Sequence, residues 1–304
     1  MNLSADILLD RALLKEKLNR WRIISLFTFL GLFTFIVKDN FNTAVKKEEY
    51  IARIKINKII TENDQRNKAL DDIIKNDSIK AVIMHVNSPG GTFVGAEDIY
   101  LALHEISKTK PVVAVMGTVA ASGGYMASIA ADYVIAHKGT ITGSIGVILQ
   151  SAEISEFAKK IGVNFLTYKS GKFKATPSFT EPPSAEINEA IKSTIMDNYD
   201  IFVDMVAERR NLPKEEVLRL ADGRIYTGRQ ALANKLIDAI GSEKEALKWL
   251  ITEHKIKEDM HIKNINLIEE KHFYKKYLSK ITSLINGNNL STTGLSGILA
   301  LWTI

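Results

Sequence analysis

Strand-like and helix-like segments alternate along the chain from residue 50 onward, and this alternation limits the possible fold more than any other feature. The runs IARIKI (51–56), AVIMHV (81–86) and VVAVMG (112–117) are rich in apolar and β-branched residues, and helical patterns over residues 67–75 and 97–106 separate them. Buried strands joined by helical crossovers form parallel sheets covered on both faces. The sequence therefore predicts an α/β domain with a mainly parallel sheet and flanking helices.

The alternation continues with shorter segments. Further strands are predicted at YVIAH (133–137), SIGVIL (144–149) and VNFLTY (163–168). Helices are predicted just after Ser122 and over residues 154–161, 184–221 with a break at Pro213, and 243–253. We expect one domain over residues 50–253, followed by a C-terminal extension over residues 254–304 whose role the sequence leaves open.

Composition excludes several classes of protein. The formal net charge is +5, but the lysines are scattered and form no basic block with interleaved aromatic residues. The pattern typical of nucleic-acid binding is therefore missing, and no nucleic-acid partner is expected. The chain has no cysteine, which excludes disulfides, thiolate metal sites and cysteine nucleophiles.

The most hydrophobic run, WRIISLFTFLGLFTFIV, begins at Trp21 and is followed by Lys38. It is somewhat shorter than the roughly 20 residues that usually span a bilayer, but its aromatic and basic flanks suit the two interfaces. A buried core helix and a cleaved signal peptide are the alternatives, although no A-x-A cleavage pattern follows the run. The sequence predicts a transmembrane anchor over residues 21–38, embedded in lipid, after a leader over residues 1–20.

Basic residues before the run and at its start predict its orientation. They are Arg11, Lys15, Lys17, Arg20 and Arg22. Positive charge is retained on the cytoplasmic side of a membrane, so we expect the leader in the cytoplasm and the α/β domain on the other side.

Two glycine pairs follow two of the predicted strands. NSPGG (87–91) comes after AVIMHV, and AASGG (120–124) comes after VVAVMG. Strand ends at this edge of an α/β sheet form ligand sites, and glycines there can direct backbone N–H groups at an anionic oxygen. Ser122 is then either a nucleophile or a helix cap. Ser88 is a rival nucleophile, but its position before Pro89 favours a turn.

A serine nucleophile needs a base. His137, at the end of YVIAH, is the strongest histidine candidate. A lysine is the alternative, and its ammonium pKa of about 10.4 must then be lowered by burial. The loop YKSGKFKA offers Lys169, Lys172 and Lys174, and the residues alone do not choose among these bases.

The motifs together resemble the signal peptide peptidase A family (SppA, also called protease IV) of membrane-anchored bacterial serine proteases, in its short single-domain form. The resemblance covers roughly residues 50–253 and rests on motifs found in the family's order and spacing. They are NSPGG, AASGGY, TGSIGV (142–147), KSGKFK (169–174), and ADGRIYTGRQAL (221–232) followed by LID (236–238).

The resemblance implies roles for individual residues. The serine of the family's ASGG motif is the nucleophile and falls on Ser122. The last lysine of K-S-G-x-x-K is the general base and falls on Lys174. Backbone N–H groups of Gly90, Gly91 and Gly123 would form the oxyanion hole. Such a Ser-Lys mechanism needs no metal and no other cofactor.

One position departs from the family. Many members have an acid or a serine after the base lysine, where this chain has Ala175. The family's fold resembles Clp protease subunits and crotonases, which supply two rivals: a Clp-like peptidase with His137 as base, and an acyl-CoA enzyme. A membrane-tethered scaffold without turnover is the non-catalytic alternative.

The resemblance also predicts substrates, assembly and location. Substrates would be cleaved signal peptides or other apolar peptides near the bilayer. The short form would be a homo-oligomer in which Ser122 and Lys174 come from neighbouring subunits. The location would be the bacterial cytoplasmic membrane, with a single span and the catalytic domain on the extracytoplasmic side.

Overall fold

The N-terminal part of the chain is a single long helix, α1 (Leu3–Asn42). The computed structural model describes residues 3–42, 48–268 and 299–301, and the chain separates into two units at residues 1–48 and 49–304. Side chains from Leu14 to Phe33 are exposed on all sides of the helix, although most of those after Arg22 are apolar. Within the described ranges, no helix meets the length and hydropathy required of a membrane span.

The second unit contains all the strands and the remaining helices that the structure describes. The strands are β1 (Tyr50–Asn57), β2 (Ile79–Ser88), β3 (Gly90–Thr92), β4 (Val112–Ala121), β5 (Tyr133–Ala136), β6 (Ile141–Gly143), β7 (Ile225–Thr227), β8 (Ala239–Ile240), β9 (Ile262–Asn264) and β10 (Leu299–Leu301). The helices are α2 (Asp64–Lys75), α3 (Phe93–Ser107), α4 (Gly123–Ile129), α5 (Ser155–Lys160), α6 (Ala185–Arg210), α7 (Lys214–Leu220), α8 (Gly228–Ala233) and α9 (Glu243–His254).

The main sheet has the strand order β7-β6-β4-β2-β1-β9, with β5 paired to the first half of β4 and β8 paired to β5. Its pairs are parallel except for β6 with β7, which are antiparallel. A second, two-stranded sheet joins β3 and β10 in antiparallel orientation. The α/β, mainly parallel architecture predicted from the sequence is thus confirmed, as a mixed sheet in which β7 is antiparallel to its neighbour.

The central strands are buried on both faces because helices cover each side. On one face Ile54 and Met84 belong to a large core with side chains from α2, α3, α4 and α6. On the other face Ile83 packs in a smaller core with Ala246 and Leu250 of α9. This two-sided burial explains why β1, β2 and β4 read as nearly continuous apolar runs.

Two predicted strands are wrong. Residues 144–149 contain no strand, and the strand in that region is the earlier β6. Residues 163–168 are an irregular loop, with Leu166 79% and Tyr168 91% exposed. In the first segment only Ile148 forms a β-bridge, and the second segment pairs with no strand among the described residues. Without a continuous partner an apolar run cannot complete its backbone hydrogen bonds as a sheet.

Both segments lie in or beside an extended region, residues 148–183, that we call the arm. Its large apolar side chains are mostly exposed. They are Ile148, Ile154, Phe157, Ile161, Val163, Phe165, Leu166, Tyr168, Phe173 and Phe179. An exposed apolar surface of this extent is typical of a protein–protein contact.

The C-terminal extension predicted over residues 254–304 is described only to residue 268 and again at residues 299–301. Its first part supplies β9, which adds to the edge of the main sheet beside β1. Its last described part is β10, whose partner β3 begins with the two glycines of the NSPGG motif.

Candidate active site

Ser122 lies at a sharp turn between a strand and a helix. Strand β4 ends at Ala121 and helix α4 begins at Gly123. The backbone of Ser122 has φ 54° and ψ −120°, a conformation that side-chain-bearing residues rarely adopt. Such strained strand–turn–helix geometry is typical of a serine presented as a nucleophile.

The hydroxyl of Ser122 is buried and unpaired. The residue is 1% exposed, and its Oγ has no hydrogen-bond partner among the described residues. The side chain therefore does not cap α4, which was the alternative to a nucleophile in the sequence. Most buried hydroxyls in proteins are hydrogen-bonded, so an unpaired one at a strained turn is a candidate catalytic group.

The NSPGG turn packs directly against the start of α4. A Cβ at Gly124 would lie 2.6 Å from the carbonyl oxygen of Ser88, so only glycine permits this approach. Ser88 Oγ donates to the Lys58 carbonyl at 2.6 Å and accepts from the Gly90 N–H at 3.1 Å. The rival nucleophile Ser88 is thus held within the turn.

The two glycines of this turn have different backbone partners. Gly90 has φ 111°, its N–H donates to Ser88 Oγ, and its carbonyl accepts from the Ile60 N–H at 2.8 Å. The N–H of Thr92 donates to the Ile60 carbonyl at 2.9 Å. Because N–H groups alternate sides along a strand, the Gly91 N–H points to the opposite edge of β3, on which β10 pairs. A Cβ at Gly91 would lie 1.7 Å from the Ile60 oxygen.

The KSGKFK lysines lie in the arm, and two of them are paired. Lys169 forms an ion pair with Glu181, and Lys172 forms one with Glu186. The hydrogen bond from Lys169 holds the pKa of the Glu181 carboxyl below its usual value. Lys174 is exposed, and we find no ion pair for it in the described part of the chain.

The structure of one protomer does not bring the predicted dyad together. Ser122 Oγ is enclosed and has no partner, whereas Lys174 lies in a turn closed by its own N–H to the Gly171 carbonyl at 3.0 Å. His137 is exposed at the end of β5 and does not hydrogen-bond Ser122. The glycines predicted to form the oxyanion hole, by contrast, lie on the two segments that meet at Ser122.

Sequence reasoning missed three polar side chains beside this turn. Asn87, Thr140 and Thr142 each hydrogen-bond the backbone of β4 just before Ser122. The sequence feature that could have pointed to them is the presence of polar residues within or beside apolar runs. These are the asparagine of NSPGG and the two threonines of GTITG. That signal identifies no backbone partner, so only the structure assigns the contacts.

Comparisons with known proteins identify the family. The profile of peptidase family S49 matches residues 104–257, and that of the Clp protease family matches residues 49–154. A putative protease of Synechocystis is 38% identical over 214 residues, which are 70% of this chain and 76% of the relative. A putative signal peptide peptidase of Enterococcus faecium is 41% identical over 188 residues, or 62% of this chain and 55% of the relative. Protease 4 of Haemophilus influenzae is 38% identical over 61% of this chain but only 31% of its own length.

Replacing Gly124 with alanine is expected to disrupt the site. The added methyl group would overlap the Ser88 carbonyl and push the NSPGG turn away from Ser122. We expect a loss of about 1–3 kcal/mol in the free energy of unfolding, together with loss of Ser122 reactivity. Urea unfolding and labelling with a serine-reactive fluorophosphonate would measure the two effects.

Gly139 supplies the control. A Cβ at Gly139 meets no atom within 4 Å, so Gly139→Ala should change neither quantity. Wild-type reactivity in Gly124→Ala would contradict the importance of this contact.

Proposed function

Because the chain belongs to peptidase family S49 and is a serine protease, we propose that it cleaves apolar peptides with a Ser-Lys dyad, in which Ser122 is the nucleophile and Lys174 is the general base. The observation that carries this proposal is the buried, unpaired hydroxyl of Ser122 at a strained turn. Two segments that carry backbone N–H groups meet at the same point. The fold alone does not select this activity, so the proposal rests on the site.

The proposed reaction proceeds through an acyl-enzyme. The neutral amine of Lys174 takes the proton of Ser122 Oγ as that oxygen attacks the scissile carbonyl. The N–H groups of Gly91 and Gly123 stabilise the tetrahedral oxyanion, since the Gly90 N–H already donates to Ser88. The lysine then protonates the leaving amine, and water releases the acyl group by the same steps in reverse.

Lys174 is the best candidate base among the three arm lysines because the other two form ion pairs with carboxylates. Lys169 is held in an ion pair with Glu181, and Lys172 is held in one with Glu186. Lys174 has no such carboxylate partner in the part of the arm that the structure describes. This distinction supports the role that the family resemblance gives it.

We further propose that the base reaches Ser122 from a neighbouring copy. An exposed lysine is protonated at neutral pH, and burial against apolar groups is the usual means of changing that. The arm that carries Lys174 exposes a large apolar surface in the single protomer. A homo-oligomer in which this surface packs on the next copy would bury both the arm and the base, and would complete the site at the interface.

The substrate is proposed to bind along β3 as an added strand. Residues 299–301 already pair with this edge in antiparallel orientation, with Ala300 opposite Gly91. The edge therefore accepts a peptide backbone beside a proposed oxyanion donor. Residues 299–301, which we call the tail, belong to the apolar sequence LSGILALWTI. This sequence is apolar like the proposed substrates, among which are signal peptides.

The helix α1 is proposed to anchor the protein in the bacterial cytoplasmic membrane, with the protease domain on the extracytoplasmic side. Exposed apolar side chains surround the helix, among them Phe27, Phe29 and Leu30. A helix that is apolar on all sides is stable in lipid or in a protein core. The basic residues that precede the apolar run favour a cytoplasmic N-terminus.

Mixing two inactive variants tests the dyad and its assembly together. Ser122→Ala and Lys174→Ala should each abolish hydrolysis of a fluorogenic peptide with an apolar residue before the cleaved bond. When the two variants are co-expressed and mix at random, about a quarter of the interfaces combine an intact serine of one copy with an intact lysine of the next. We therefore expect about a quarter of wild-type activity to return.

Lys172→Ala is the matched control, because Lys172 is paired and exposed on the same loop; it should remain active. Activity in Lys174→Ala alone would disprove the base. Inactive mixtures that still co-assemble would place the dyad within one protomer.

Membrane fractionation tests the anchor. The full chain should sediment with membranes and resist extraction by alkaline carbonate, and aspartate at Phe27, Phe29 and Leu30 should release it because charges are costly in lipid. Leu101→Asp, at an exposed position on α3, should leave fractionation unchanged. Release of the wild-type chain by carbonate would contradict the anchor.

Removal of the tail tests the binding edge. A chain that ends at residue 298 lacks the strand that pairs with β3, so an intramolecular competitor is lost. We expect the KM for peptide substrates to fall several-fold while kcat stays the same, as measured by steady-state kinetics. An unchanged KM would mean that the tail does not compete with substrate.

A further inference from the structure

Strand β4 contains an irregularity just before Ser122. On the side of β2, Val86 pairs with Met116, but the next paired residue, Ser88, lies opposite Ala120. Three residues of β4 therefore face a single residue of β2. An insertion of this kind is a β-bulge, and bulges next to active sites redirect the side chains that follow them.

The other edge of β4 changes partner at the same place. Met116 is the last residue paired with β5, and Val119 is the first paired with β6. Gly117 and Thr118 lie between the two ladders and have no strand partner on either side. The backbone groups of the bulge thus need partners from side chains.

Three side chains form hydrogen bonds with backbone groups in and next to the bulge. Thr140 Oγ1 donates to the Gly117 carbonyl at 2.7 Å, and Thr142 Oγ1 donates to the Ala120 carbonyl at 2.7 Å. From the opposite side, Asn87 Oδ1 accepts from the Val119 N–H at 3.1 Å. Thr140 and Thr142 are almost fully buried, so these bonds are shielded from competition by water.

The bulge determines how Ser122 is presented. Ser122 N–H donates to the Gly143 carbonyl at 2.8 Å, and Ala121 is in register with the same residue. A shift of β4 by one residue would move every following side chain to the opposite face of the sheet. The Ser122 hydroxyl would then leave the NSPGG turn and the N–H of Gly123.

We propose that Asn87, Thr140 and Thr142 are positioning residues for catalysis, which lock the bulge of β4 so that Ser122 Oγ is held at the oxyanion donors. They act on the reaction through the backbone and touch no reacting atom. This inference rests on the proposed role of Ser122 as nucleophile. It assigns a function to the asparagine of NSPGG and to the threonines before and within β6.

Paired substitutions separate the hydrogen bonds from the side-chain volume. Thr140→Val keeps the shape but cannot donate to Gly117, whereas Thr140→Ser keeps the hydroxyl. Asn87→Ala removes the acceptor for Val119, whereas Asn87→Asp retains one. Asn87 is exposed, so Asn87→Ala is expected to fold even if the buried Thr140→Val does not.

Steady-state kinetics on the full chain, with fluorophosphonate labelling of Ser122, give the readout. We expect Thr140→Val and Asn87→Ala to lower kcat and the labelling rate by about 10- to 100-fold with KM unchanged, because a small misplacement of the nucleophile has an effect of that order. Thr140→Ser and Asn87→Asp should stay within a few-fold of wild type.

Tyr199→Phe is the control for stability. It removes a hydrogen bond from the Tyr199 hydroxyl to the Ala221 carbonyl, outside the active site, and should lower the melting temperature without changing kcat. An equal loss of kcat in Tyr199→Phe, or in the conservative variants, would overturn the positioning role, and so would unchanged kcat in both Thr140→Val and Asn87→Ala. Full activity of Ser122→Ala would instead refute the proposed function, so the two failures are distinguishable.

Discussion

The close approach of helix α4 to the turn after β2 is the contact on which the rest of the site depends. It is possible only because Gly124 has no side chain over the Ser88 carbonyl. The contact brings the ends of two adjacent parallel strands together, one with the serine and one with the glycine turn. Neighbouring parallel strands end at the same edge, so the sheet supplies the alignment and the glycine permits the final approach.

The single protomer places the proposed nucleophile beside the glycine turn but gives it no hydrogen bond to the proposed base. Ser122 is buried and unpaired, while Lys174 is exposed on an arm whose apolar side chains are largely in contact with water. The proposed assembly of copies would explain the unpaired serine, the exposed lysine and the exposed apolar arm together. Burial of the arm against the next copy would also bury the lysine and bring it to the serine. In that proposed assembly, dispersed copies would lack a complete site.

Apolar patterning predicted the strands that are buried within the chain and failed elsewhere. Strands β1, β2 and β4 are covered on both faces, so their continuous apolar runs were read correctly. Residues 163–168 show a similar pattern, yet they are an exposed loop. An apolar run indicates that its side chains are favourably buried. It does not indicate which surface buries them or whether a neighbouring strand is available.

The sequence by itself determined the central β-α-β-α-β order from β1 to β4, the place of Ser122 between two glycine-rich motifs, and the membership in the S49 family, because these depend on local periodicity and on motifs of contiguous residues. Only the tertiary structure decided that the Gly90 N–H is already bound to Ser88, that Lys174 is apart from Ser122 in one protomer, and that Asn87 and Thr140 hold the bulge of β4. Each of these facts concerns whether two groups are in contact after folding. Local sequence patterns contain no such distances, since burial and register arise from the packing of the whole sheet.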